Sequence, residues 1–450
     1  MNKETVILKA ADEQSYKLLK SSMRAILTTC SIFLLALTTN AQQIEIQDTI
    51  SNKQQKDTLR NTEELYDIVD LFKDIIPSKK PKDQKPKKRS PISYLPNINY
   101  NPSIGAQIGV KAVGGKVLGN QPNTQMSIAA AALSYTTRGI IVGYLIHDIY
   151  TPSNKWNIKG NVMVAKAVGL DYGLGMGTPI DNPTEEELII NNPERQRFVN
   201  KFTAYTINER IYKQLFPGAF VGAGVFFELK RGLETFGSAE NMSPTQIYSR
   251  WNNFNPVDIN NNGLMVNMQY TTRDNPNSAH KGMYVDVVLR MNQEWMGSEH
   301  NAYQLQTDFR KYWQLSSSRS NHVLAFWNFG SYKLGGKLPY VDLPGTSKDP
   351  YARSGRGYTM GYFKGLSYFY SEVEYRYPIL RNQFLSGVVF ANVQSTNDQM
   401  GTKLFQQWQP AAGAGLRVLF NKATRTNLCI DYAFGKFGQR GLFLGLNDAF

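Results

Sequence analysis

Residues 302–313 read AYQLQTDFRKYW. With a two-residue period, Gln304, Gln306, Asp308 and Arg310 fall on one side and Tyr303, Leu305, Phe309 and Trp313 on the other. A strand with one apolar and one polar face, long enough to cross a bilayer at a tilt, is the pattern of a transmembrane barrel strand. A soluble sandwich also alternates, but its strands average only about five to six residues.

The same period recurs outward in both directions. Residues 282–290 set Met283, Val285, Val287 and Leu289 against Asp286 and Arg290. Residues 412–420 set Ala414, Leu416, Val418 and Phe420 against Gly413, Gly415 and Arg417. Residues 104–114 set Ala106, Ile108, Val110 and Ala112 against Gln107, Gly109 and Lys111. The expected fold is all-β, a transmembrane antiparallel β-barrel. About fifteen strands can be marked by eye, and bacterial barrels use even numbers, so sixteen are expected. The unmarked strand belongs between residues 165 and 265. There Asp181-Asn182-Pro183 and Asn191-Asn192-Pro193 read as parts of long extracellular loops.

Composition agrees. The 450 residues are 42% hydrophobic, 19% charged and 12% aromatic, which fits neither a disordered chain nor a bundle of membrane helices. No run of 18 apolar residues occurs, so no membrane-spanning helix is expected.

Lys17, Lys20 and Arg24 precede the apolar stretch 25–37 (AILTTCSIFLLAL), followed by Thr39-Asn40-Ala41. Residues 1–41 therefore read as an export signal cleaved before Gln42, with Met23 as an alternative start. Export excludes cytoplasmic enzymes and transcription factors, and with them a nucleic-acid partner. It leaves Cys429 as the one thiol after Cys30 is removed. Neither the cysteines nor His147, His280, His300 and His322 are spaced as metal ligands, and no cofactor is expected. Residues 42–97 read as a periplasmic segment and 98–450 as the outer-membrane barrel. Within the former, 61–76 (NTEELYDIVDLFKDII) reads as an amphipathic helix opened by Asn61 with Glu64 and stopped by Pro77. The chain's charge of +14 is concentrated at 79–89 (KKPKDQKPKKR), which holds seven Lys/Arg against one Asp. This stretch reads either as a solvated linker or as a contact with anionic lipid headgroups, worth about 1 kcal/mol per basic residue.

Three stretches go beyond a generic barrel. Thr272-Arg273-Asp274-Asn275-Pro276 with Lys281-Gly282 makes a turn between two strands. Ser354-Gly355-Arg356-Gly357-Tyr358 sits in a long connection, about 333–364, before a strand in which Glu372, Glu374 and Arg376 share a face. Residues 412–420, 427–434 and 441–450 alternate and end on Phe450, with Gly445 upstream. In this order the set resembles the BamA/TamA family of outer-membrane barrels, the bacterial surface antigen family.

The resemblance implies that the Arg-Gly-Tyr tip folds back into the barrel and that Arg356 meets acidic groups on nearby strands, Glu374 first and Glu372 beside it. The family's Asp after Val388-Val389-Phe390 is here Asn392, which keeps a hydrogen bond in place of an ion pair. Gly445 and Phe450 match the terminal strand signal that the assembly machinery reads, while Asp448 stands where a hydrophobic residue is usual. The family's periplasmic transport-associated domains have no room between Gln42 and the first strand. The implied role is outer-membrane protein or lipid assembly or transport, in contact with outer-membrane lipids and with periplasmic or outer-membrane protein partners. The alternative is a channel or structural barrel that does no assembly. An enzyme is not expected: no Gly-x-Ser-x-Gly occurs, and His147-Asp148 is the one tempting pair for a hydrolase.

Overall fold

Long runs of alternating residues become long strands in the computed structural model, which describes residues 65–75, 92–119, 124–193, 197–237, 242–317, 321–422, 424–446 and 448–450. The first strands are β1 (Ile92–Pro96), β2 (Asn99–Asn101), β3 (Gly105–Val117), β4 (Met126–Thr136), β5 (Ile141–Tyr150) and β6 (Trp156–Asp171). Then come β7 (Phe198–Phe216), β8 (Ala219–Phe236), β9 (Ile259–Thr271), β10 (Gly282–Asn292), β11 (Ala302–Gln314) and β12 (Val323–Gly336). The last are β13 (Ser367–Pro378), β14 (Leu385–Thr396), β15 (Gln409–Asn421), β16 (Thr426–Gly435) and β17 (Arg440–Leu446).

Each strand pairs antiparallel with its neighbour in sequence. β1 and β2 both pair with β3, so they are two pieces of one strand interrupted after Pro96. The barrel therefore has sixteen strands, and β17 closes it against β2 through the single pair Leu444↔Tyr100. Among the described residues its first strand starts at Ile92, ahead of residue 98: residues 92–96 already pair with β3. The stretch between 165 and 265 holds β7 and β8, of 19 and 18 residues, between the loops 172–197 and 237–258.

The pleat sorts the side chains. On β4, Ala130, Ala132, Ser134 and Thr136 are buried, while Leu133 and Tyr135 are exposed on the outer wall. Ile108, Val110, Leu145, Val164, Ile207 and Ile211 continue that outer apolar band on neighbouring strands. Apolar outside and polar inside is the inverse of a soluble protein. We expect the protein to fractionate with the outer membrane and to migrate faster unboiled than boiled in detergent gels; release by a carbonate wash with no mobility shift contradicts this fold.

The long connections gather at one end, which is the extracellular end in barrels of this kind. There the helix α2 (Pro244–Asn252) starts in a capping box between Ser243 and Gln246, with Pro244 in its first turn. It packs Ile247 and Tyr248 against Leu188, Ile189, Tyr340 and Leu343, a separate apolar core roofing the barrel. The roof is pinned by Asp171, which accepts from Lys364 (2.9 Å), Tyr340 (2.8 Å) and Thr245 (3.2 Å).

The opposite end carries short turns and the helix α1 (Ile68–Ile75). Among the described residues α1 starts seven residues later than Asn61, because Asp67 and Asp70 cap it. Asp70 N–H donates to Asp67 (3.1 Å) and Asp67 N–H to Asp70 (3.3 Å). The Asn61/Glu64 cap, the basic stretch 79–89 and residues 1–41 lie outside the described residues. α1 docks on the turns at this end of the barrel. Tyr66 N–H donates to the Asn382 carbonyl (3.2 Å), its ring meets Phe384 edge-on, and Lys422 pairs with Asp70 at 2.6 Å.

Candidate functional site

The connection 337–366 turns down into the lumen. Gly355 and Gly357 adopt φ +77° and +105°, the left-handed region that side chains disfavour. A Cβ on Gly357 would sit 2.8 Å from that of Ala411 on the wall. These two glycines bring Arg356 against three carboxylates. Its guanidinium bonds both oxygens of Glu372, reaches Glu374 at 2.5 Å and Asp431 at 2.8 Å, and lies 3.6 Å over the Phe390 ring. Glu374 is fully buried, and Arg356 and Glu372 nearly so. Burying such charges is tolerated only when each finds partners of opposite sign. Asn392 donates to the Arg356 carbonyl (3.0 Å) and to Glu372 (3.3 Å), so it clamps the tip without charge. Tyr358 anchors the next turn, donating to the Pro410 carbonyl at 2.6 Å.

Sequence reasoning placed Arg356 with Glu374 and Glu372, and the structure joins all three. It put Arg376 on their face without pairing it, and it missed Asp431, Arg417 and Arg353. The signal was present in the alternation: Asp431 shares a face with Cys429, and Arg417 stands opposite Cys429 on β15. Arg376 donates to Glu374 at 2.5 Å, and Arg417 to Asp431 at 2.5 Å and to Asp448 at 3.0 Å.

Phe450 does not end the last strand. β17 stops at Leu446, and residues 448–450 lie inside the lumen. The cause is Asp448: its carboxylate bonds Arg376 (3.2 Å) and Arg417, drawing the segment inward. Phe450 then packs 5.3 Å from Trp327 and 6.2 Å from Tyr312. Arg353 of the connection donates to the Leu446 carbonyl at 3.2 Å and also to that of Asp448. Gly445 keeps its place on β17, opposite Cys429.

Cys429 is buried among these groups, its Sγ 3.8 Å from Asp448. We expect a bulky maleimide to label it only after unfolding; rapid labelling of folded protein contradicts this placement.

The turn motif also does more than join β9 to β10. Gly282 has φ +101°, and a Cβ there would meet the Thr272 carbonyl oxygen at 2.2 Å, so the root of the turn needs glycine. Asp274 accepts from the His280 and Lys281 N–H groups, and Asn275 accepts from those of Asn277 and Ser278, with Pro276 between them. Arg273 stacks over the Tyr284 ring at 4.3 Å. Burial, with Arg425 nearby, lowers the His280 pKa to about 4, so the imidazole is neutral near pH 7.

His147 and Asp148 do not form a catalytic pair. As neighbours on β5 they face opposite sides of the wall. His147 meets Glu209 at 3.2 Å, whose carboxylate lies over Gly160. Asp148 meets Lys159 at 3.4 Å and Asn157.

Residues 237–441 match the Omp85 superfamily domain. No curated protein matches the chain in sequence. Among solved structures, BamA from Haemophilus ducreyi lacking POTRA domains 1–3 aligns with TM-score 0.55 at 12% identity, over 80% of this chain and 71% of that one. CdiB from Acinetobacter baumannii aligns with TM-score 0.49 at 10% identity, over 80% and 60%. The fold is thus an antiparallel β-barrel similar to that of BamA, and residues 237–441 resemble the Omp85 superfamily domain.

Proposed function

We propose that the protein works in outer-membrane protein or lipid assembly or transport, together with periplasmic or outer-membrane protein partners. The observation that carries this reading is the seam. Among the described residues, β16 and β17 pair over seven residues, whereas β17 and β2 pair only at Leu444↔Tyr100. Backbone groups left unpaired in hydrocarbon cost several kcal/mol each, of order 2–7 by transfer measurements. Two such edges are templates for an incoming strand. The Arg356 connection folded into the lumen and residues 448–450 packed beside it obstruct part of the bore, which speaks against a standing open channel. The test is a disulfide across the seam, Tyr100→Cys with Leu444→Cys. Locked protein should fail to support outer-membrane protein or lipid levels in cells lacking the wild type, and reductant should restore them. Equal levels with the seam locked and unlocked count against the proposal.

A further inference from the structure

The turn 272–281 crosses the periplasmic mouth. It leaves the barrel between β9 and β10, yet its contacts lie on the turn between β15 and β16, with β11 to β14 intervening along the wall. Asp274 pairs with Arg425 at 2.6 Å. Asn277 donates to the Thr424 carbonyl at 3.0 Å, and Asn275 approaches the same oxygen at 3.5 Å. Further in, the Ala279 carbonyl accepts from Arg376 at 3.3 Å, and the Ala279 methyl joins the buried cluster of Tyr312 and Phe450. A turn needed only to reverse the chain has no use for ten residues or for an ion pair across the pore; hairpins close with two to five.

We propose that this turn is a gate on the periplasmic mouth, latched by Asp274–Arg425 and hinged at Gly282. Behind it lies lumen that the Arg356 connection does not fill: Tyr351, in that connection, is 60% exposed and stands 6.0 Å from Arg310 on β11. The latch differs in kind from the inner contacts at Ala279. Arg425 and Asp274 are partly exposed, at 25% and 17%, and the two asparagine bonds go to a backbone carbonyl that water can satisfy as well. Partly exposed contacts of this sort add only a small margin to what the buried Ser278, Ala279 and His280 contribute, and local openings of the outer turn draw on such margins. The inner contacts at Ala279 are buried and keep the turn in register when it recloses. Opening joins the lumen to the periplasm without parting any pair of barrel strands, so the gate is independent of the seam.

The test uses the full-length protein with Cys429→Ser and a reporter thiol at Tyr351→Cys, labelled in detergent by a small charged maleimide. Arg425→Ala should raise the labelling rate about two- to fivefold, with the heat-modifiable mobility retained. A second variant, in which Asn-Gly replaces residues 275–280, removes the gate while leaving Arg425 and the strands, and should label at least as fast. Unchanged rates in a folded Arg425→Ala or a folded short-turn variant overturn the proposal, whatever the seam does.

Discussion

Replacing Arg356 by alanine should be the most damaging single change in the lumen. It leaves Glu372, Glu374 and Asp431 facing one another with one cation fewer, at 5% exposure or less for the arginine that is lost. Removing one partner from a buried ionic cluster costs about 3–5 kcal/mol, because the remaining charges stay desolvated. The fast-migrating form should melt at lower temperature, and the connection 337–366 should become open to external protease. Arg356→Lys should rescue little, since an ammonium cannot fork to three carboxylates. The partners should respond unequally. Glu374 keeps Arg376, whereas Glu372 bonds Arg356 as its cation, so coupling in a double-mutant cycle should be larger for Arg356 with Glu372. If protease cleaves the connection equally fast in wild type and Arg356→Ala, the clamp does not hold it.

The second large effect is expected at the extracellular roof. Lys364→Ala strands the fully buried Asp171 with neutral donors alone, the Tyr340 and Thr245 hydroxyls and the Gly173 N–H. By the same reasoning the cost is about 3–5 kcal/mol. It should appear as cleavage within 237–258 and 337–366 in a barrel that still shows its mobility shift. The double change Asp171→Leu with Lys364→Met should recover much of the resistance, because an apolar pair of similar size removes the stranded charge. Resistance undiminished in Lys364→Ala counts against the pin.

The barrel was legible in the sequence because its two environments force a two-residue period over many strands. The loop tip was legible as well, because Gly355 and Gly357 bracket an arginine and Glu372 and Glu374 alternate onto one face. Three things were not. The start of α1 moved to Ile68 because Asp67 and Asp70 cap each other locally, a pattern as good as Asn61 with Glu64 to the eye. The inward path of residues 448–450 depends on Arg376 and Arg417, 72 and 31 residues away from Asp448. The crossing of the 272–281 turn depends on Arg425, 151 residues beyond Asp274. Periodicity reports which face a residue is on, and it carries no information about which distant residue shares that face.

Those separations have a kinetic consequence. Arg356 meets Asp431 across 75 residues, and Lys364 meets Asp171 across 193. Contacts so far apart in the chain form late, after the strands between them are in place, because closing such loops is entropically slow. Interactions absent from the folding transition state slow unfolding without speeding folding. The buried arginine cluster should therefore act as a clock on the finished barrel. Weakening it should shorten the half-life of the folded form in hot detergent and leave the rate of refolding into lipid nearly unchanged.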